Sequence, residues 1–353
     1  MTIVADLFRF VVGVDTHAAT HTYTILESSG RVIDQQQFPA SPAGVARAID
    51  WIGRRVQGDL DGTLVAAEGT GTYGAVLAGR LAVAGYRVVE APTPRRDRAA
   101  GKNDAMDSLA AARSTLSMRT DRLRDRRGGG EEQAASRRAA LQVLLTAREH
   151  ASAERTRAVN ALTALLRTHE LDIDARRTLT TTQIKTIARW RSRTESIDLA
   201  TARTQAVHLA HRIADLDAHL TDNATQIELL VRDHAPVLLE QPGIGPVTAA
   251  IILTTWSHPG RVRSEAAFAK IAGTAPLPAS SGNTQRHRLN RGGDRRLNRA
   301  LHTIVLTRMR YDPATRAYTE RRRAEGKTTR EIRRILKRYT TRQLYRALNT
   351  NTA

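Results

Sequence analysis

Four carboxylates in this chain fall in an order and spacing suited to holding a divalent cation. Asp15 closes the apolar run Val11-Val12-Gly13-Val14, and Glu68 closes a second, Leu64-Val65-Ala66-Ala67. Asp104 and Asp107 stand three apart at the start of a helical stretch. Residues three apart are neighbours on a helix surface, so this pair and two strand-end carboxylates can converge on one point. Carboxylate oxygens are the hard ligands Mg²⁺ prefers, and a cluster of them is repulsive until cations offset its charge. The rest of the chain is strongly basic, with formal net charge +20 and pI near 11.3. An acidic pocket in a basic body suits a polyphosphate substrate.

The elements that must position these groups read as alternating strands and helices. Residues 11–17, 21–28 and 31–38 are expected as three strands separated by turns. Ser41 caps a helix that runs to about Val56, with Pro42 at its first position. A buried strand (63–68), a helix (73–84), a strand (86–91) and a Pro/Arg loop (92–101) follow. The helix bearing Asp104 and Asp107 spans about 103–118. This order predicts a mixed α/β sheet flanked by helices.

Arg126-Arg127-Gly128-Gly129-Gly130 reads as a linker. Residues 131–170 and 195–235 read as long helices, the second with Leu209, Ile213, Leu216, Leu220, Ile227 and Leu230 at three–four spacing. Asn223 interrupts that seam, and a polar seam residue can fix register and oligomer state. Pairing within one chain and pairing between chains both satisfy the pattern. Three domains are expected: 1–125, 126–236 as a helical coiled-coil spacer for oligomerisation, and a mainly α domain over 237–353.

The last part opens at Gln241-Pro242-Gly243-Ile244-Gly245-Pro246. A Gly-x-Gly turn before an apolar helix offers backbone N–H groups and the positive end of the helix dipole to a phosphate, which makes Gly243 and Gly245 candidate nucleic-acid contacts; the turn resembles the hairpin of helix-hairpin-helix modules. An ordinary tight turn between packed helices is the alternative. Downstream, Ser280-Ser281-Gly282 precedes Arg286, Arg288, Arg291, Arg295 and Arg296 around a Gly-Gly pair. A serine attacking a phosphodiester needs its phosphate held and the developing charge offset, which an arginine cluster can do; from the residues alone a flexible loop is the commoner reading. Arg316 to Arg346 reads as a basic helix pair, for which DNA or RNA contact is the favoured reading and a solvated face the alternative. Glu325-Gly326-Lys327-Thr328 is not a P-loop, because Arg321 stands where the motif needs glycine. Trp190 suits either a core or a nucleic-acid contact, and His208 and His211 suit a solvated helix face.

Composition narrows the class. The chain has 353 residues, no cysteine and 4% aromatics. Disulfides, thiolate zinc sites and iron–sulfur clusters are thereby excluded, and base stacking on aromatic platforms is disfavoured against backbone contact. No signal peptide or run of about 18 apolar residues is seen, so a reducing cytosol and no membrane are expected.

Taken together, the chain resembles the transposases of the IS110 insertion-sequence family. The resemblance rests on Gly13-Val14-Asp15-Thr16, on Glu68-Gly69-Thr70-Gly71-Thr72-Tyr73-Gly74 with Ala84-Gly85-Tyr86, and on Lys102-Asn103-Asp104-Ala105-Met106-Asp107. The Pro-Gly-Ile-Gly-Pro turn, Ser280-Ser281-Gly282, Arg291-Gly292-Gly293-Asp294-Arg295-Arg296-Leu297 and the Gly326-Lys327 turn extend it over nearly the whole chain. Asn103 replaces the usual Thr, Ser108 the usual Ala, and the Pro92-to-Gly101 loop is short.

The resemblance implies an RNase H-like (RuvC-like) N-terminal domain whose DEDD metal site falls on Asp15, Glu68, Asp104 and Asp107, binding one or two Mg²⁺. It implies a C-terminal serine nucleophile, Ser281 with Ser280 as rival, forming a 5′-phosphoserine bond to DNA. Lys327 joins Gly243, Gly245 and the arginines as a nucleic-acid contact. Partners would be donor and target double-stranded DNA, a structured bridge RNA and further copies in a dimer or tetramer, in a bacterial cytoplasm at the nucleoid. The competing readings are an RNase H-like nuclease or junction resolvase using metal-activated water, an actin-like ATPase or sugar kinase, and a decayed nucleic-acid binder. The ATPase reading is weakened by Asp15-Thr16-His17-Ala18, which lacks the glycine such a phosphate turn needs.

Overall fold

The computed structural model describes residues 2–92, 103–280 and 287–350. Strand β1 (Phe10–Thr16) is buried at all seven positions, which is why its sequence is a continuous apolar run rather than an alternation. It pairs antiparallel with β2 (Thr20–Glu27), which pairs antiparallel with β3 (Val32–Pro39). On its other side β1 runs parallel to β4 (Thr63–Ala67), and β4 parallel to β5 (Arg87–Glu90). The order β3-β2-β1-β4-β5 makes a five-stranded mixed sheet consistent with an RNase H-like fold. The edge strand β3 carries the polar run Asp34-Gln35-Gln36-Gln37, as an exposed edge requires.

Helices cover both faces. On one side lie α2 (Pro42–Arg55) and α3 (Ala75–Val83), with Val45, Trp51, Ile52, Leu77 and Leu81 against Val12, Val14 and Val65. The expected Ser41 cap is present, its side chain accepting the Gly44 N–H at 3.2 Å. On the other side lie the short α1 (Val4–Leu7), which the sequence pattern did not suggest, and α4 (Asp104–Leu116), against Val11, Leu64 and Ala66.

Helices α5 (Glu132–Thr168) and α7 (Ile197–His234) pair with each other within the chain, with the small α6 (Thr181–Ile187) at their far end. Arg137 meets Asp233 at 2.7 Å near one end and Arg155 meets Asp217 further along, so they run antiparallel. Among the expected seam residues Ile213, Leu216 and Ile227 are buried, while Leu209, Leu220 and Leu230 are half-buried. Ala202, Ala206 and Ala210 complete the buried seam toward α6, small side chains that a search for large apolar residues passes over. Asn223 is buried; its Nδ2 donates to the Leu144 carbonyl (3.0 Å), so the polar seam residue is satisfied by α5 of the same chain. Trp190 packs in this far core under the Arg203 guanidinium, 4.9 Å from its ring centre. His208 and His211 are exposed.

The near ends of α5 and α7 share a core with α8 (Pro236–Leu239), α9 (Pro246–Trp256), α10 (Glu265–Ile271), α11 (Arg295–Tyr311) and α13 (Thr329–Thr350), which follows α12 (Pro313–Ala324). Between α10 and α11 lie the two short strands β6 (Leu277–Pro278) and β7 (His287–Arg288). Among the described residues no helix is long and apolar enough to cross a membrane.

The Arg126-to-Gly130 stretch, which reads as a free linker, is docked. Gly128 N–H donates to Ser257 Oγ (3.3 Å) and Arg138 donates to the Gly129 carbonyl (2.7 Å). A Cβ on Gly129 would lie 2.9 Å from the His258 ring, so the glycines permit close backbone approach rather than slack. Beside them the buried Arg261 donates to Glu90 Oε2 at 2.8 Å, tying the segment between α9 and α10 to β5. Burial pushes the Arg261 pKa down to about 10, partly countered by Glu90. Glu90→Gln, which leaves that cation without its carboxylate, is expected to lower stability by about 2 kcal/mol, read as a fall in Tm; a lower figure than for a fully buried pair fits the partial exposure of Glu90.

Candidate active site

The acidic cluster is built by one close contact. Side chains alternate along a strand, so Asp15 points to the same face as Val11 and Gly13, the face covered by α4. A Cβ at Gly13 would collide with the Ser108 carbonyl oxygen and lie 2.5 Å from the Ala112 backbone nitrogen. Glycine there lets α4 sit directly on β1. Asn103 starts that helix by accepting the Ala105 N–H at 3.1 Å, which performs the capping a Thr would supply. Ser108 shares a 2.8 Å hydrogen bond with Thr24 of β2, and Gln35 donates to Thr24 and to the Ala105 carbonyl (2.6 and 2.7 Å). These polar contacts pin the first turns of α4 against the sheet.

Asp15 is buried at the C-terminal end of β1, and Asp104 at the first position of α4 is brought beside it. Between them stands His17, its Nε2 3.0 Å from Asp15 Oδ2 and 3.6 Å from Asp104 Oδ1. Ligand atoms of Asp15, His17 and Asp104 all lie within 4.8 Å of one another. Glu68 follows β4, its N–H donating to the Val14 carbonyl at 3.0 Å and its own carbonyl accepting from Thr16 Oγ1 at 3.1 Å. It therefore sits beside Asp15 at the same edge of the sheet, and Asp107 lies one turn along α4; both are half-buried and stand outside the close three-residue set. His17 was not singled out from the sequence. The signal was there: i and i+2 share a face of an extended chain, so Asp15 and His17 point the same way. His21, by contrast, pairs with Thr16 on the opposite face, where burial pushes its pKa down.

Two hard carboxylates gathered from a strand and a helix far apart in sequence, with a nitrogen between them, are donors that fit a divalent cation.

The second group of expected residues lies in the C-terminal part. Ser281 and Arg286 fall outside the described residues; Ser280 is exposed just beyond β6. Arg288 on β7, Arg291 and Arg295 are exposed. Arg296 is engaged by Glu149 of α5, with contacts of 3.0 and 2.5 Å. Gly293 is packed against Gly273, 2.6 Å from its Cα for an added Cβ, so that glycine serves a backbone crossing. Gly243 has φ +76 and lies against α11. The Gly245 N–H donates to Thr248 Oγ1 at 3.0 Å, so a phosphate at this turn would replace the hydroxyl. Lys327 is exposed in the turn between α12 and α13.

If the exposed arginines meet nucleic acid, Arg295→Ala should weaken DNA binding and reduce the slope of log affinity against log salt by about 1. Arg296→Ala should change that slope less and instead lower Tm, because its partner is Glu149. Filter-binding titrations across a salt series check both.

Residues 12–170 match the DEDD transposase family model of IS110 elements, described as Transposase, and residues 235–320 match the model described as Transposase IS116/IS110/IS902 family. The chain is 41% identical over 106 residues to an uncharacterized 43.6 kDa protein of insertion element IS110 from Streptomyces coelicolor, 29% of this chain and 26% of that one. It is 35% identical over 130 residues to an uncharacterized 42 kDa protein of insertion element IS900 from Mycobacterium paratuberculosis, 36% and 33% of the two chains. A third relative, an uncharacterized 44.8 kDa protein of insertion element IS116 from Streptomyces clavuligerus, is 30% identical over 121 residues, 33% and 30% of the two chains. The matched segments thus span between a quarter and a third of each relative's length. With family matches on both the acidic-cluster half and the Gly-turn half, the chain belongs to the IS110 family of insertion-element transposases.

Proposed function

We propose that this chain cuts and rejoins DNA strands to move an insertion element, using a metal centre on the N-terminal sheet and a serine nucleophile in the C-terminal part. The observation that carries this reading is the meeting of Asp15 and Asp104 beside Glu68, with Asp107 on the same helix, in a chain of net charge +20. The four carboxylates are the proposed ligands of one or two Mg²⁺. Such ions, when bound, position a phosphate and stabilise the charge that develops on it.

The chain's own residues do the rest. Ser281 Oγ attacks the scissile phosphorus, the bond to the 3′ oxygen breaks, and a 5′-phosphoserine and a free 3′-hydroxyl result. Arg288, Arg291 and Arg295 offset the phosphate charge, with Arg286 of the same cluster. Attack of another strand's 3′-hydroxyl on the phosphoserine restores a phosphodiester and frees the serine, so rejoining needs no nucleotide triphosphate. A bridge RNA pairing with donor and target DNA would supply sequence specificity while the protein holds backbones, in keeping with many arginines and few aromatics. Residues 1–125, a coiled-coil spacer over 126–236 and 237–353 are the proposed RuvC-like, assembly and serine-bearing domains. The proposed setting is a dimer or tetramer at the bacterial nucleoid.

A strand-exchange assay with purified protein, Mg²⁺, cognate RNA and two DNA substrates tests this reading. Joined products requiring all components support it. Metal-dependent cutting to unjoined ends, indifferent to Ser281→Ala, would instead fit an RNase H-like nuclease or resolvase in which water attacks.

A further inference from the structure

The imidazole of His17 lies where the two closest carboxylates face each other. Its Nε2 is within 3.0 Å of Asp15 Oδ2 and 3.6 Å of Asp104 Oδ1, and the three ligand atoms fall within 4.8 Å of one another. Three donors that close can share one cation after only small side-chain movements, since metal–ligand bonds of about 2 Å place ligand atoms roughly 3 Å apart. The backbone holds His17 in place independently of its ring: its N–H donates to the Thr20 carbonyl at 3.0 Å in the β1–β2 turn. The side chain is 42% exposed, so it can rotate without disturbing the core.

We infer that His17 is a metal ligand, making the centre a mixed nitrogen–oxygen site rather than an all-carboxylate one. The inference rests on the reading of the acidic cluster as a metal centre. Coordination uses the Nε2 lone pair, which places the ring proton on Nδ1. A nitrogen donor changes what the site prefers. Imidazole suits transition metals, whereas Mg²⁺ favours oxygen and water. His17 should therefore raise affinity for Mn²⁺ more than for Mg²⁺.

The test uses the full chain and Mn²⁺ alone, without DNA or RNA. Pulsed electron paramagnetic resonance of the bound Mn²⁺ should report coupling to one imidazole ¹⁴N, and His17→Ala and His17→Gln should both abolish it. Binding titrations should show Mn²⁺ affinity falling about tenfold or more in both variants, with Mg²⁺ affinity falling less. Mn²⁺ bound in an Asp15-dependent way with no ¹⁴N coupling, or coupling that survives His17→Ala, would overturn the inference while leaving the carboxylate centre standing. Mn²⁺ binding that Asp15→Asn does not change would overturn the metal-centre reading itself.

Discussion

Asp15→Asn is expected to lower the rate of DNA strand cleavage by on the order of a thousandfold, with the fold intact. Asn keeps the volume and shape of the side chain in a buried position, so packing around β1 is preserved. What it removes is the negative charge at the point where strand, helix and His17 meet. A cation held mainly by charge loses its best-enclosed ligand, since Asp15 is buried while Glu68, Asp104 and Asp107 are half-buried. Cleavage of labelled DNA at saturating Mg²⁺ measures the loss, and an unchanged Tm separates it from unfolding. A chelator should reduce the wild-type rate to the same floor.

The second large effect is at a residue with no functional group. Gly13→Ala is expected to cost about 3 kcal/mol of stability and to remove most cleavage activity, because an added Cβ would lie 2.5 Å from the Ala112 nitrogen and 2.8 Å from its Cβ. Helix α4 must then lift from the sheet, carrying Asp104 and Asp107 away from Asp15. The same substitution at Gly79, in α3 with nothing within 4 Å of an added Cβ, should have the opposite sign and stabilise by about 0.5–1 kcal/mol. Thermal unfolding of both variants beside cleavage rates checks the pair. A Gly13→Ala protein as stable and active as wild type would mean that α4 does not rest on β1 as described.

The N-terminal domain was legible because its physics is local. Central strands buried on both faces are apolar throughout, so β1 and β4 are legible as apolar runs, with Asp15 one residue before the end of β1 and Glu68 directly after β4. The Asp104/Asp107 spacing and the Ser41-Pro42 start were equally local signals. Contacts between distant segments were less visible. Gly13 reads as an ordinary strand glycine until Ser108 and Ala112 are seen above it. The alanine part of the α5–α7 seam carries little hydropathic contrast, and the glycines at 128–130 read as slack when they are a docking surface for Ser257 and His258. The significance of His17 depends on Asp104, which is 87 positions away in sequence but 3.6 Å away in space. In the C-terminal part, residue type alone did not separate Arg296, committed to Glu149, from its exposed neighbour Arg295.

The most direct test of the account is the covalent intermediate. Protein, Mg²⁺ and cognate RNA would be incubated with DNA that traps the cleaved state, and any protein–DNA adduct mapped by denaturing gel and peptide analysis. The expected result is an adduct on Ser281 that disappears in both Ser281→Ala and Asp15→Ala but persists in Ser280→Ala. Metal-dependent cleavage that survives both serine substitutions without an adduct would contradict it and make water the nucleophile.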